Sequence, residues 1–284
     1  RQKDDGTMKP QSPSRLETLL VSPLAWLLGE VAASDMTWSA EELDVMAKGN
    51  IAHDVFEHIF LKDQPIPDPA ALTAAVPDAY DRALTRHAGF LRSASWEMER
   101  SGLEREILQA ALRWREYLLA LSAKIVGNEI WLAGEAHGIN LHGKADAILE
   151  LPDGALLVVD HKKSGTSARR KRMEAGWDLQ AGLYRDMIAR PIRREGDGMD
   201  PLIGRDVGIA YHLMNDGGFL TSGAINVAAV AKLAERLAEL GAGRVVLNTS
   251  LDEGFFKKEA GFMPYALTDG SALVTSFIRQ IKEE

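Results

Sequence analysis

The sequence predicts an α/β (α+β) fold: a central mixed sheet flanked by helices and interrupted by a helical insertion. Three observations predict it. First, strand-like segments at 129–137, 139–150 and 155–162 follow one another as a meander, the last two joined by the turn residues Pro152-Asp153-Gly154. Second, residues 78–127 carry apolar residues at helical spacing, Leu103, Ile107, Ala111 and Leu118 among them, with no strand signal between. Third, the helical pattern from Met173 to Ile188 leads into another alternating segment, Arg205 to Leu213.

Taken in order, residues 1–13 read as a flexible lead-in, and 14–284 as one domain. Ser14 with Glu17 three residues on fits a capping box, and Leu16, Leu19, Leu20, Leu24 and Leu27 form the stripe of a helix that Pro23 should kink or divide. Glu41 to Leu61 is the next helix, carrying Gly49 and His53; the glycine would let another backbone approach closely. Alone, His53 is an ordinary polar position on an amphipathic helix. The four prolines within 63–77 mark a surface loop, and two helices, 78–100 and 101–127, complete an insertion over 63–127. Residues 129–213 form the core of the fold. Residues 214–284 extend it, with a helix from Asn226 to Leu240, a short strand at Val245-Val246-Leu247 and a last helix near Ser271 to Lys282.

The organising stretch is Leu156-Leu157-Val158-Val159-Asp160-His161-Lys162. Four apolar residues make a buried strand, and alternation puts Asp160 and Lys162 on one face with His161 on the other. On the preceding strand Ala145, Ala147, Leu149 and Leu151 would share one face, and Lys144, Asp146 and Glu150 the other. The hairpin brings Asp146 near Asp160. Two carboxylates and a lysine at one sheet edge suit a divalent metal that cuts phosphodiesters. Glu129 and Glu135 lie on the first strand, and either can reach a metal or simply be solvated. From Lys162 to Arg172 the chain carries six positive charges and no negative one, including Arg169, Arg170, Lys171 and Arg172. Taken alone this is a solvated loop; beside such a site it suits a polyanion. Gln180 and Tyr184, four apart, stack on one helix face.

Bulk properties narrow the classes. A hydrophobic content of 46% supports a sizeable core, and the absence of a run of about eighteen apolar residues argues against a membrane span. The first residues, Arg-Gln-Lys-Asp-Asp-Gly, lack the apolar region of a signal peptide. Net charge is −8, which argues against a wholly basic DNA-coating protein and leaves room for a local basic patch. Cysteine is absent, which excludes disulfides, thiolate zinc sites and iron–sulfur clusters in this chain and fits a reducing, cytoplasmic location.

Gly49-x-x-x-His53, Gly143-x-x-Asp146, Asp160-His161-Lys162 and Gln180-x-x-x-Tyr184, in this order, resemble the RecB-type branch of the PD-(D/E)XK nuclease superfamily. The resemblance covers roughly 12–215. Ser12-Pro13-Ser14-Arg15-Leu16 and Ser22-Pro23-Leu24-Ala25-Trp26 are also similar to the start of AddB-like nuclease domains. Two departures stand out: Val21 occupies the place of that group's iron–sulfur cysteine, and Ala145 rather than proline precedes Asp146. The resemblance implies a restriction-endonuclease-like core and Mg²⁺ or Mn²⁺ held by His53, Asp146 and Asp160, with the His161 carbonyl completing the set. Lys162 would orient or help deprotonate the attacking water, or stabilise the transition state. Gln180 and Tyr184 would hold the nucleic-acid strand or orient the active-site groups, and 169–172 would steer DNA. The expected activity is metal-dependent DNA hydrolysis in repair or recombination, as an exonuclease on single-stranded ends, with a helicase or repair complex as partner. Two alternatives compete. One is a catalytically silent DNA-binding scaffold of a helicase–nuclease assembly, although every motif position is intact. The other is a helical interaction module, which leaves Asp-x-Lys at the end of a buried strand a coincidence.

Overall fold

A computed structural model describes residues 9–21, 23–30, 43–174, 178–192, 199–222 and 227–245. The mixed sheet is present and has five strands in the order β1 (Lys124–Ala136), β2 (Ile139–Glu150), β3 (Leu156–Lys162), β4 (Val207–Leu213) and β5 (Gly218–Ser222). Neighbours are antiparallel except β3 and β4, which run parallel, joined by the helices α6 (Thr166–Glu174) and α7 (Gln180–Ala189). Such a crossover is what a parallel pair requires.

Alternation along β3 divides the interior into two cores. Leu156 and Val158 face one, built on α1 (Pro13–Val21), α7 and α8 (Val227–Gly241). Leu157 and Val159 face the other, built on α3 (Val45–Ile59), α4 (Pro69–His87) and α5 (Glu97–Ala120). A strand buried on both faces reads as an unbroken apolar run, which is why β3 was visible in the sequence.

Several boundaries differ from expectation. The lead-in is shorter than read, because Gln11 pairs with Leu141 in a parallel bridge. Pro23 does divide the first helix, giving α1 and α2 (Pro23–Glu30). The loop expected over 63–77 ends at Asp68, which caps α4 through the Ala71 N–H at 2.8 Å with Pro69 in the first turn. Proline there is preorganised for a helix; Pro77, inside the same helix, is the departure. Strand β1 starts at Lys124, five residues before Glu129, in a stretch read as helix. The basic run is a helix, α6, rather than a loop. Asp216 accepts the Thr166 N–H at 2.7 Å and its hydroxyl at 2.8 Å, capping it from the β4–β5 turn. Consequently the helix expected from Met173 to Ile188 is two helices. Strand β5 lies in the extension, where no strand had been expected until Val245. Trp177, the rest of that expected strand and the last helix lie outside the described residues.

Candidate active site

The site forms where the sheet stops being regular. The β2–β3 ladder runs from Glu150↔Leu156 to Ala147↔Val159 and ends there. Across Asp146 the alternation of β2 reverses: Leu141 and Ala145 face the first core, whereas Ala147 and Leu149 face the second. The expectation of one face shared by Ala145, Ala147 and Leu149 therefore fails at Asp146. In β1, between the register pairs Asn128↔Ala147 and Ile130↔Ala145 that flank Asp146, stands Glu129, with a φ of 52°, a left-handed conformation that a non-glycine residue adopts rarely. Asp146 sits in this break, and its Oδ2 accepts the His161 N–H at 2.7 Å, which the interrupted ladder leaves unpaired.

Four elements converge on this point. Helix α3 starts at Asp44, which accepts the Ala47 N–H at 2.7 Å, and delivers His53, whose Nδ1 is 3.5 Å from Asp146 Oδ2. Strand β1 delivers Glu129, and ligand atoms of His53, Glu129 and Asp146 all lie within 4.8 Å of one another. Strand β3 delivers Asp160 and Lys162, whose ammonium is 2.6 Å from Asp160 Oδ2. Helix α7 delivers Gln180, which donates to Asp160 Oδ1 at 2.8 Å and to the Tyr184 hydroxyl at 3.0 Å. That hydroxyl in turn donates to the Lys144 carbonyl at 3.1 Å, tying α7 to β2. Asp160 lies outside the 4.8 Å cluster, and both of its oxygens are engaged within the chain.

Burial and neighbouring charge tune these groups. Burial first, and the Asp160 carboxylate second, push Asp146 well above the usual carboxylate range. Burial and then the Lys162 ammonium lower His53 below the ordinary imidazole value. Two carboxylates, Asp146 and Glu129, with the His53 imidazole make a donor set that a hard or borderline divalent cation takes. The residues thus fit such an ion.

A sequence model of the PD-(D/E)XK nuclease superfamily matches residues 10–261. The chain belongs to that superfamily. No curated protein sequence matches it. Among the described residues no helix is long and apolar enough to cross a membrane.

Within this PD-(D/E)XK nuclease chain, the expected residues fall into distinct surroundings. His53 and Asp146 meet, and Asp160, Lys162 and Gln180 form the adjoining group. The His161 ring points away, as alternation required. It packs against Trp114 and Phe56, and its Nδ1 is 2.9 Å from Nδ1 of His212. Gly49 does not admit another backbone: a Cβ there would meet nothing within 4 Å, and the residue lines a cleft. Gly143 is the tight glycine, since a Cβ would stand 2.8 Å from the Tyr184 ring.

The basic cluster divides. Arg169 is buried, its Nε 2.9 Å from Asp178 and its guanidinium 3.7 Å from the Tyr211 ring centroid, so its charge is held within the chain. Arg172 is tied to Glu17 at 2.7 Å. Arg170 and Lys171 are exposed. Gln180 and Tyr184 are buried too, and their bonds run to Asp160 and Lys144 rather than to an open surface.

Glu17 was misread as half of a capping box. Ser12 caps α1 through the Arg15 N–H at 3.3 Å. Glu17 is buried and accepts the Leu179 and Gln180 N–H groups at 2.9 and 3.2 Å, capping α7 instead. Its signal was present: it falls between Leu16 and Leu20 on the apolar side of α1. A cleft of about 550 Å³ lies beside this group, lined by Glu17, Met46, His53, Lys162, Lys163 and Arg172 among others.

Proposed function

We propose that this chain is a metal-dependent deoxyribonuclease of the RecB-type branch, acting on single-stranded ends. The observation that carries the reading is the gathering of His53, Glu129 and Asp146 within 4.8 Å, beside Asp160 and Lys162 in contact at 2.6 Å. In this reading His53, Asp146 and Asp160 hold Mg²⁺ or Mn²⁺, with Glu129 as a further carboxylate and the His161 carbonyl completing the set. The ion supplies charge for the scissile phosphate and a lowered pKa for water. Lys162 holds the attacking water in line and offsets charge on the phosphate oxygens. Gln180 and Tyr184 fix Asp160 in place rather than touching the strand. Lys162 lines the cleft, and the exposed Arg170 and Lys171 of α6 add positive potential near it. The cleft, about 550 Å³, has room for one or two nucleotides beside these groups. Work in repair or recombination beside a helicase fits the Gly49-x-x-x-His53 and Ser22-Pro23 motifs of that branch.

The test is direct. Labelled single- and double-stranded DNA are incubated with the protein and Mg²⁺, Mn²⁺ or EDTA, alongside Asp160→Ala and Lys162→Ala. Cleavage of single strands by the wild type with metal, and by neither variant, is expected. Binding of DNA without cleavage under either metal would replace this reading with that of a silent scaffold.

A further inference from the structure

The hairpin of β1 and β2 continues past the point where β3 leaves it. Beyond the carboxylates its two faces differ. Leu132, Ala136, Leu141 and Ala145 are buried in the first core. The opposite face carries Trp131 and Glu135 from β1 and His142 and Lys144 from β2. Trp131 is 58% exposed, and its register partner is Lys144. Side chains paired in this way stand about 5 Å apart at Cβ. The His142 ring is 6.1 Å away, centroid to centroid, at an interplanar angle of 35°.

An indole so placed contributes little to the core, since the buried side of β1 at this level is Leu132. Its position relative to the site is fixed by its neighbours. Trp131 lies two residues from Glu129 in β1, its register partner Lys144 is ion-paired with Glu129, and a Glu129 oxygen lies within 4.8 Å of one of Asp146. A strand whose phosphodiester reaches these carboxylates would pass its neighbouring nucleotide over Trp131.

Charge decides which part of the nucleotide fits. Lys144 is ion-paired with Glu129, and Glu135 is exposed farther along the same face. That balance disfavours a phosphate at this level. It leaves the uncharged face of a base, which aromatic rings bind without regard to sequence. A base is available for stacking in a single strand and not in an intact duplex.

We propose that Trp131, with His142 beside it, is a stacking platform for a nucleobase flanking the scissile phosphate of single-stranded DNA. The proposal rests on the nuclease reading for its location. The test uses the full chain with Asp160→Asn to stop cleavage, Ca²⁺ as the ion, and a short fluorescein-labelled single strand. Trp131→Ala and Trp131→Leu should weaken binding about tenfold, and Trp131→Phe should stay within about twofold. Abasic substitutions are then placed along the strand. One position should cost the Trp131-containing protein about tenfold and cost Trp131→Ala almost nothing, because the ring and the base are partners in one contact. Equal affinity of Trp131→Ala, or additive losses at every position, overturns the platform. If the ring and one base prove coupled but the wild type cuts nothing with metal, the platform stands and the nuclease reading falls. If the protein binds no single strand, both fall.

Discussion

At the scale of residues, Asp160 and Lys162 were legible because a period of two places them together whatever surrounds the strand. Asp146 was legible as a residue but not as a geometry: nothing local announces that alternation reverses there, since Ala145 and Ala147 are both small and apolar. Glu129 was left open for a similar reason, as nothing local announces the left-handed φ at this position. Lys162→Ala should lower the cleavage rate by about 100-fold or more with the metal concentration for half-maximal rate little changed, measured under single turnover. Glu129→Gln should do the reverse, raising that metal concentration about tenfold, read by titrating Mn²⁺ against rate; an unchanged midpoint would leave Glu129 only its ion pair with Lys144.

At the scale of elements, helix α7 brings Gln180 and Tyr184 to Asp160 and Lys144, which fits the second of the two roles expected of them, orienting the active-site groups. Gln180 and Tyr184 at i and i+4 do share a face, but the face is buried and aims at Asp160 and Lys144. What holds α7 there is Glu17, more than 160 positions earlier, and no local pattern reports a contact of that range. Replacing Glu17 by alanine leaves the two helix-end N–H groups without this acceptor and removes the Glu17–Arg172 ion pair. A loss of about 3 kcal/mol in unfolding free energy is expected, measured by denaturant titration. Gly143→Ala should act through position: a Cβ 2.8 Å from the Tyr184 ring must displace it. Cleavage should then fall together with the Gln180–Asp160 contact, and Tyr184→Phe, which keeps the ring, should not relieve that loss. The basic run failed as a loop because its cap, Asp216, is supplied by another turn.

For the whole molecule, two cores sandwich one sheet, and helices α3, α4 and α5 form the second of them. That core reaches the site through an aromatic group in which Trp114 stacks on His212 at 5.2 Å, with Phe219 at 4.8 Å from the same ring. Burial first, and the facing His53 second, hold the His212 imidazole down to about 3, with Asp216 working the other way. The unfolded chain takes up this proton near 6.5. Between those values the unfolded state binds more protons, so stability falls as pH drops below about 6.5. His212 alone accounts for about 2 kcal/mol at pH 5. The melting temperature should therefore fall between pH 7 and pH 5, and His212→Phe should shrink that fall. An equal fall in both proteins would place the acid sensitivity elsewhere. None of this pairing was visible in the sequence, where His161 and His212 lie on strands that become neighbours only through the crossover.

Hydrolysis of phosphodiesters by the group around Asp146, Asp160 and Lys162 with a divalent ion is read in the single-turnover cleavage rate of a labelled single strand as Mn²⁺ is titrated from zero, for the wild type and Asp146→Ala. The wild-type rate should rise to saturation and be abolished by EDTA, with Asp146→Ala at background throughout. A rate independent of the metal, or an Asp146→Ala protein that cuts as the wild type does, would rule that chemistry out.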